Sequence, residues 1–157
     1  MPLEHLFDAE LQYQQDLDPV VTSERREGEL IGSGDGSVNG ARLAGRLRWS
    51  MFAADCPYRP DGGTLVPDGD HLCTTNPAFV LETEDGATIW FEARGFGLRR
   101  QDAEPKWVLT ASLRFDTDDA RYAWLNRVFG IWEGVFDEDA GHARYRAFVQ
   151  TTAPEGR

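Results

Sequence analysis

The chain is short of cysteine, of positive charge and of long apolar runs, and each shortage removes a class of protein. Cys56 and Cys73 are its 2 cysteines. That is too few for the disulfide framework of a small secreted domain, and they are read as reduced thiols. Lys and Arg total 16 against 27 Asp and Glu, a formal net charge of −11. Nucleic acid and anionic membrane surfaces are recognised by clustered cations, so neither is expected as a partner. No run of about 18 apolar residues occurs, so no transmembrane helix is expected. The opening residues MPLEHLFDAEL carry Glu4, Asp8 and Glu10 where a signal peptide would be basic and then apolar. No repeat and no low-complexity segment is present. The expected location is the cytoplasm.

What remains is a chain of 157 residues with 41% hydrophobic content, 16 Gly and 8 Pro. The length suits one domain over 1–157, with a core over about 3–150 and a flexible tail at 151–157. Spread-out Gly and Pro suit a many-turned β-protein. Leu3–Tyr13 alternates with His5, Phe7, Ala9, Leu11 and Tyr13 on one side. Arg42–Ala53 places Leu43, Gly45, Leu47, Trp49, Met51 and Ala53 on one face, and Trp107–Phe115 alternates strictly. A strand near Glu29–Ile31, and strands at Gly130–Phe136 and Arg144–Val149, complete the pattern, with Trp132 and Glu133 on opposite faces. Between them, FDTDDARYAWLNRVF predicts a short helix near 117–126, with Asp116 or Thr117 capping its start. This makes a mainly β fold, a single antiparallel barrel of about eight or nine strands, in which the last strand closes on the first.

The centre of the pattern is Ala78–Gly97, AFVLETEDGATIWFEARGFG. Asp85-Gly86 is a strong signal for a two-residue hairpin turn. That turn sets Val80 opposite Phe91 and Ala78 opposite Ala93. One face is then Ala78, Val80, Ile89, Phe91 and Ala93, and the other mixes Phe79, Leu81 and Trp90 with Glu92 and Arg94. The mixed face is expected to line a partly polar cavity. Two other stretches attract attention and are read plainly. GSGDGSVNG at 32–40 lacks both the spacing and the following helix of a phosphate loop, so it reads as turn chemistry. GDHLC at 69–73 holds Asp70, His71 and Cys73 without a ligand-spaced pair, so no metal site is expected.

Five stretches together resemble a known family. They are Ala41–Gly45, Arg59-Pro60-Asp61-Gly62, Leu81–Ala87, Arg114–Thr117 and Tyr122-Ala123-Trp124-Leu125-Asn126. Their order is similar to that in the small proteins grouped as domain of unknown function 3237, over about Leu3–Val149. The resemblance implies a calycin- or lipocalin-like barrel with one open cavity, and uses in the metabolism of small organic molecules. Asp55 matches the Asp of an Asp-Trp pair typical of the family, with Cys56 in place of the Trp, and Arg94-Gly95 matches its arginine-glycine strand ending.

Two functions fit. One is a cofactor-independent isomerase, cyclase or lyase that moves protons on a hydrophobic, oxygenated small molecule such as a phenolic, polyketide or terpenoid intermediate. Such a reaction needs a base, an oxyanion donor and a dry aromatic wall. Asp55 or Glu92 supplies the base in this reading, Arg94 the donor, and Trp49, Trp90 and Trp132 the wall. His5 near the rim is either a substrate contact or a hydrogen-bonded structural residue, and Glu92 with Arg94 is either a catalytic set or simply an ion pair at the rim. The alternative is a binding or carrier barrel for the same ligand class. Homo-oligomerisation is compatible with both.

Overall fold

The computed structural model describes residues 2–14, 30–53, 64–65 and 71–150. Asp55, Cys56, the Arg59–Gly62 turn, Asp70 and the tail at 151–157 lie outside the described residues, as do the side chains of His71 and Cys73. The described chain forms β1 (Leu3–Tyr13), β2 (Leu30–Asn39), β3 (Gly45–Ala53), β4 (Thr64–Leu65), β5 (His71–Thr75), β6 (Ala78–Thr83), β7 (Thr88–Arg99), β8 (Trp107–Asp116), β9 (Gly130–Asp137) and β10 (His142–Gln150). No helix among these residues is long and apolar enough to cross a membrane.

Eight strands close into an antiparallel barrel in the order β1-β2-β3-β6-β7-β8-β9-β10, sealed by β10 against β1. Closure leaves no open edge among the eight, as the sequence pattern led us to expect. The other two strands extend the wall: β7 pairs with β6 over Thr88–Glu92 and with β5 over Gly95–Arg99, while β4 adds to β5. The switch falls at Asn76-Pro77, where the proline cannot donate to a ladder, and the Pro77 carbonyl still accepts from Ala93 N at 2.9 Å.

Period-2 burial fixes which side chains face inward. Leu47, Trp49 and Met51 on β3, alternate residues from Trp107 to Phe115 on β8, and Ala143 to Val149 on β10 are all buried. These strands follow the sequence reading. At mid-height the interior is filled by rings: Phe79 stacks on Phe91 at 4.4 Å, and Trp132 stacks on Tyr145 at 4.0 Å. Trp132 also stands edge-to-face to Phe79 at 5.2 Å.

Four expectations are corrected. The β6–β7 register is Glu82↔Thr88, Val80↔Trp90 and Phe79↔Phe91, one residue away from that of a two-residue turn. The turn is longer: Gly86 N donates to Thr83 O (3.1 Å), Thr83 N donates to Ala87 O (2.9 Å), and Gly86 takes φ +89°. That is a three-residue loop ending in a left-handed glycine. Asp85 braces it by accepting from the hydroxyls of Thr83 (2.5 Å) and Tyr122 (2.6 Å). A one-residue slip exchanges the faces of a strand pair. Phe79, Leu81, Ile89 and Phe91 are therefore buried, and Trp90, Glu92 and Arg94 face outward.

Second, a bulge between His5 and Phe7 breaks the alternation of β1, so Leu6 and Phe7 are both buried and His5 turns outward. Third, the glycine-rich 32–40 segment belongs largely to β2 rather than to a turn. Gly34 and Gly36 oppose Trp49 and Leu47 on β3, and a Cβ at Gly34 would run into the Gln12 carbonyl. Fourth, the short helix is a single 3-10 turn at Ala123–Arg127. It starts without a side-chain cap, and Leu125 and Tyr122 are buried beneath it.

Candidate functional site

The 3-10 turn closes one end of the barrel. Thr83 and Thr117, the buried polar side chains among the described residues, also lie at this end, tied to Asp85 and Asn126. Asp85 is held below the usual carboxylate range by its hydrogen bonds from Thr83 and Tyr122, with the Arg121 charge adding to them. Asp119 is pulled to about 2 by the Arg121 guanidinium. These groups lock the loops together and are engaged with one another.

The opposite end gathers the last residue of β1, the first of β8 and the β9–β10 turn. Tyr13 lies 4.5 Å from Trp49 on one side and 4.5 Å from Phe136 on the other. Trp107, in register with Phe136, stands 6.3 Å from it edge-on. Tyr13 and Phe136 remain half-buried, whereas Trp49 and Trp107 are buried. The indole N–H groups of both tryptophans are used: Trp49 donates to Asp35 O (3.1 Å) and Trp107 to Glu138 (2.9 Å).

Glu138 holds this end together. It accepts a two-pronged bond from Arg99 (2.8 and 3.1 Å), and Lys106 stands 3.9 Å away. The Arg99 hydrogen bonds bring its pKa down to about 2, the Trp107 N–H adds to the effect, and partial burial opposes it. The sign follows from linkage: a carboxylate whose folded pKa lies below its unfolded value contributes stability above about 4.5 and loses it as pH falls toward about 2. In urea titrations, Glu138→Gln should therefore be less stable than the wild type at pH 7, with the gap shrinking at pH 3. A constant gap would mean that the carboxylate charge is not what holds this turn.

The residues singled out from sequence divide between the two sides of the wall. Trp49 and Trp132 face inward, Trp49 at the aromatic end and Trp132 in the ring stack. His5 lies outside, bonded to Asp8 at 2.8 Å and edge-on to Phe148 at 5.7 Å. Glu92 and Arg94 sit on the outer face as a loose pair, N to O 3.6 Å, with Arg94 73% exposed, so they do not line the barrel interior. Trp90, 58% exposed, stands between two shallow outer clefts, one shared with Glu92 and Arg114 and one with Asp116 and Asp118. Sequence reasoning did not single out Tyr13, Phe136, Trp107, Arg99 and Glu138. The alternation of β1 and β8 already put Tyr13 and Trp107 on the core side, whereas nothing local marked Glu138, which acts from a turn.

Fold and site define an eight-stranded antiparallel barrel, closed at one end and carrying a half-buried aromatic cluster at the other. The chain belongs to the family described as Protein of unknown function (DUF3237), whose model matches residues 1–150. No curated protein matches it. Among solved structures it is similar to a β-barrel-like protein from Acinetobacter baumannii AYE, with a TM-score of 0.70 and 17% identity over 95% of this chain and 96% of that one. A protein of unknown function from Clostridium acetobutylicum gives 0.71 and 13%, covering 96% and 100%. An enzyme from Penicillium herquei gives 0.57 and 19%, covering 94% and 93%. At these identities the likeness is one of fold.

Proposed function

We propose that the barrel binds a planar, largely apolar small molecule with oxygen substituents at the end lined by Tyr13, Trp49, Phe136 and Trp107. The observation that carries this reading is the Tyr13 ring, held 4.5 Å from two other aromatics while still half-exposed. Aromatic rings offered edge and face around a concavity suit flat hydrophobic ligands, with a few polar groups setting orientation. At this end Arg99 and Glu138 bond to each other, with Lys106 beside them, and charges engaged in this way suit capture better than proton transfer.

Fluorescence titration tests the reading. 2-Acetylnaphthalene should quench the tryptophan emission saturably, and Tyr13→Ser and Phe136→Ser should each weaken binding by about tenfold or more. Trp90→Ala, on the outer wall, should leave the affinity unchanged. If Trp90→Ala abolishes binding while the two inner variants keep it, the ligand site is on the outer face.

A proton-transfer enzyme is the second reading. β3 carries Trp49 into the aromatic end and finishes at Ala53, two residues before Asp55. The Penicillium herquei protein of similar fold is an enzyme. With Glu92 and Arg94 outside the barrel, Asp55 is left as the base of an isomerase-, cyclase- or lyase-type step. Mass spectrometry of phenolic and polyketide-like compounds incubated with the protein separates the readings. Conversion lost in Asp55→Asn but kept in Glu92→Gln supports the enzyme. Compounds recovered unchanged from the protein-bound fraction support the carrier.

A further inference from the structure

The outer wall formed by β3, β6, β7 and β8 carries an apolar stripe between flanks of opposite charge. Strand register sets Arg48, Val80, Trp90 and Asp116 in one row across it. The row on one side holds Arg46, Glu82 and Thr88, and Asp118, just past the end of β8, shares a cleft with Thr88 and Trp90. The row on the other side holds Ser50, Ala78, Glu92 and Arg114. Trp90 is 58% exposed, and Ala78 is exposed beside it. A large ring held in water on a rigid wall is the kind of side chain that anchors protein interfaces. Among the described residues, Arg46, Asp116 and Asp118 have no ion-pair partner. Arg48 meets only Glu82, at 3.3 Å, with both side chains largely in water.

We infer that this face docks a second copy of the chain, about a two-fold axis lying parallel to the strands. Strands stand about 4.8 Å apart, so Arg48 and Asp116 are about 14 Å from each other along the wall, one on each side of the β6–β7 centre. Turning a copy over about that axis exchanges the flanks. Arg48 of one copy then faces Asp116 of the other, Arg46 faces Asp118, and Trp90 lies on Val80. Arg114 falls on the neutral Ser50, and Glu92 falls on Ala78. An axis running across the strands would instead set Arg48 on Arg48 and Asp116 on Asp116. The charges therefore select one pairing of the two. The net charge of −11 on each copy opposes association, but at about 0.15 M salt it is screened beyond about 8 Å, whereas the facing pairs act at shorter range. The barrel is completed within one chain, so its aromatic end does not depend on this pairing.

Sedimentation equilibrium of the full chain at that salt concentration tests the inference. The wild type should be a dimer at micromolar concentrations, and Trp90→Ala should weaken dimerisation by about tenfold or more. Arg48→Glu and Asp116→Arg should each weaken it too, because each sets like charges against one another. The double variant Arg48→Glu/Asp116→Arg exchanges the two signs and should restore the dimer. The two positions are too far apart in one copy for that rescue to arise within it. All four positions of substitution lie on the outer wall, and thermal melts check that each variant keeps the wild-type fold. A wild type that stays monomeric overturns the inference. A dimer that Trp90→Ala leaves unchanged places the contact on another face and overturns it as well. So does a double variant that dimerises no better than its parents, since the flanks would then not face each other.

Discussion

Gly95→Val should fail to give a folded barrel, with the protein recovered insoluble or without a cooperative melt in circular dichroism. Gly95 lies where β7 exchanges one partner for another, just past the last β6 pair at Glu92. On its other side β8 comes so close that a Cβ at Gly95 would strike the Thr110 carbonyl oxygen and lie 2.5 Å from Ala111 Cα. Both obstacles are backbone, and a rotamer change relieves neither. Relief requires parting β7 from β8 in the middle of their ten-residue pairing, Trp90↔Asp116 to Arg99↔Trp107. Costs above about 4–5 kcal/mol are expected only from faults of this kind. Gly97→Ala makes the control. Its Cβ would meet only side-chain atoms of Leu109 and Trp107, at 3.3 Å, and these can shift. That variant should remain folded. A well-folded Gly95→Val would mean that the two strands are further apart than described.

The second large effect separates neighbours on one strand. Phe91→Ala should cost about 3–5 kcal/mol, because it removes a 4%-exposed ring that touches Phe79, Phe115 and Trp132. Glu92→Gln and Arg94→Gln should each change stability by no more than about 0.5 kcal/mol, as outward positions away from special features do. Urea unfolding of the three variants reads the difference directly. If instead the Glu92 and Arg94 variants were the costly ones, those side chains would face the interior, as expected when the mixed face of the hairpin was read as the cavity lining.

Much of the fold was legible because period-2 burial is a strong signal wherever a strand has one wet face. β3, β8 and β10 show it without interruption, and the closure of the last strand on the first followed from counting them. The failures occurred where one residue changes the outcome. An Asp-Gly pair serves both a two-residue and a three-residue hairpin, and the choice here depends on Thr83 and Tyr122, one of them 37 positions away from Asp85. In β1 the one trace of the bulge that sends His5 outward was Leu6, an apolar residue on the otherwise polar side of the alternation. Only the start of β2, near Glu29–Ile31, was read as strand, because glycines at 34 and 36 let the β1 backbone at Gln12 and Glu10 come close rather than making a turn, and a glycine's partner is invisible in its own sequence. The aromatic end was half legible: Trp49 was expected on a cavity wall, but Tyr13, Phe136 and Trp107 meet only after the barrel has closed.

Closure also governs how fast this molecule can form. Six of the eight contacts around the barrel join consecutive strands, and hairpins of that kind assemble in microseconds, while β3 reaches β6 past two intervening strands. The eighth, β1 with β10, brings Leu3 to Gln150 and so encloses almost the whole polypeptide. The entropy of that loop must be lost before the seam contributes any stability, which sets the barrel among slow folders with rates of milliseconds to seconds. Until the seam forms, β1 and β10 both present bare edges. The exposed charges they later set against each other, Asp8 with Arg146 and Glu10 with Arg144, then serve a second purpose: they discourage each edge from pairing with a copy of itself.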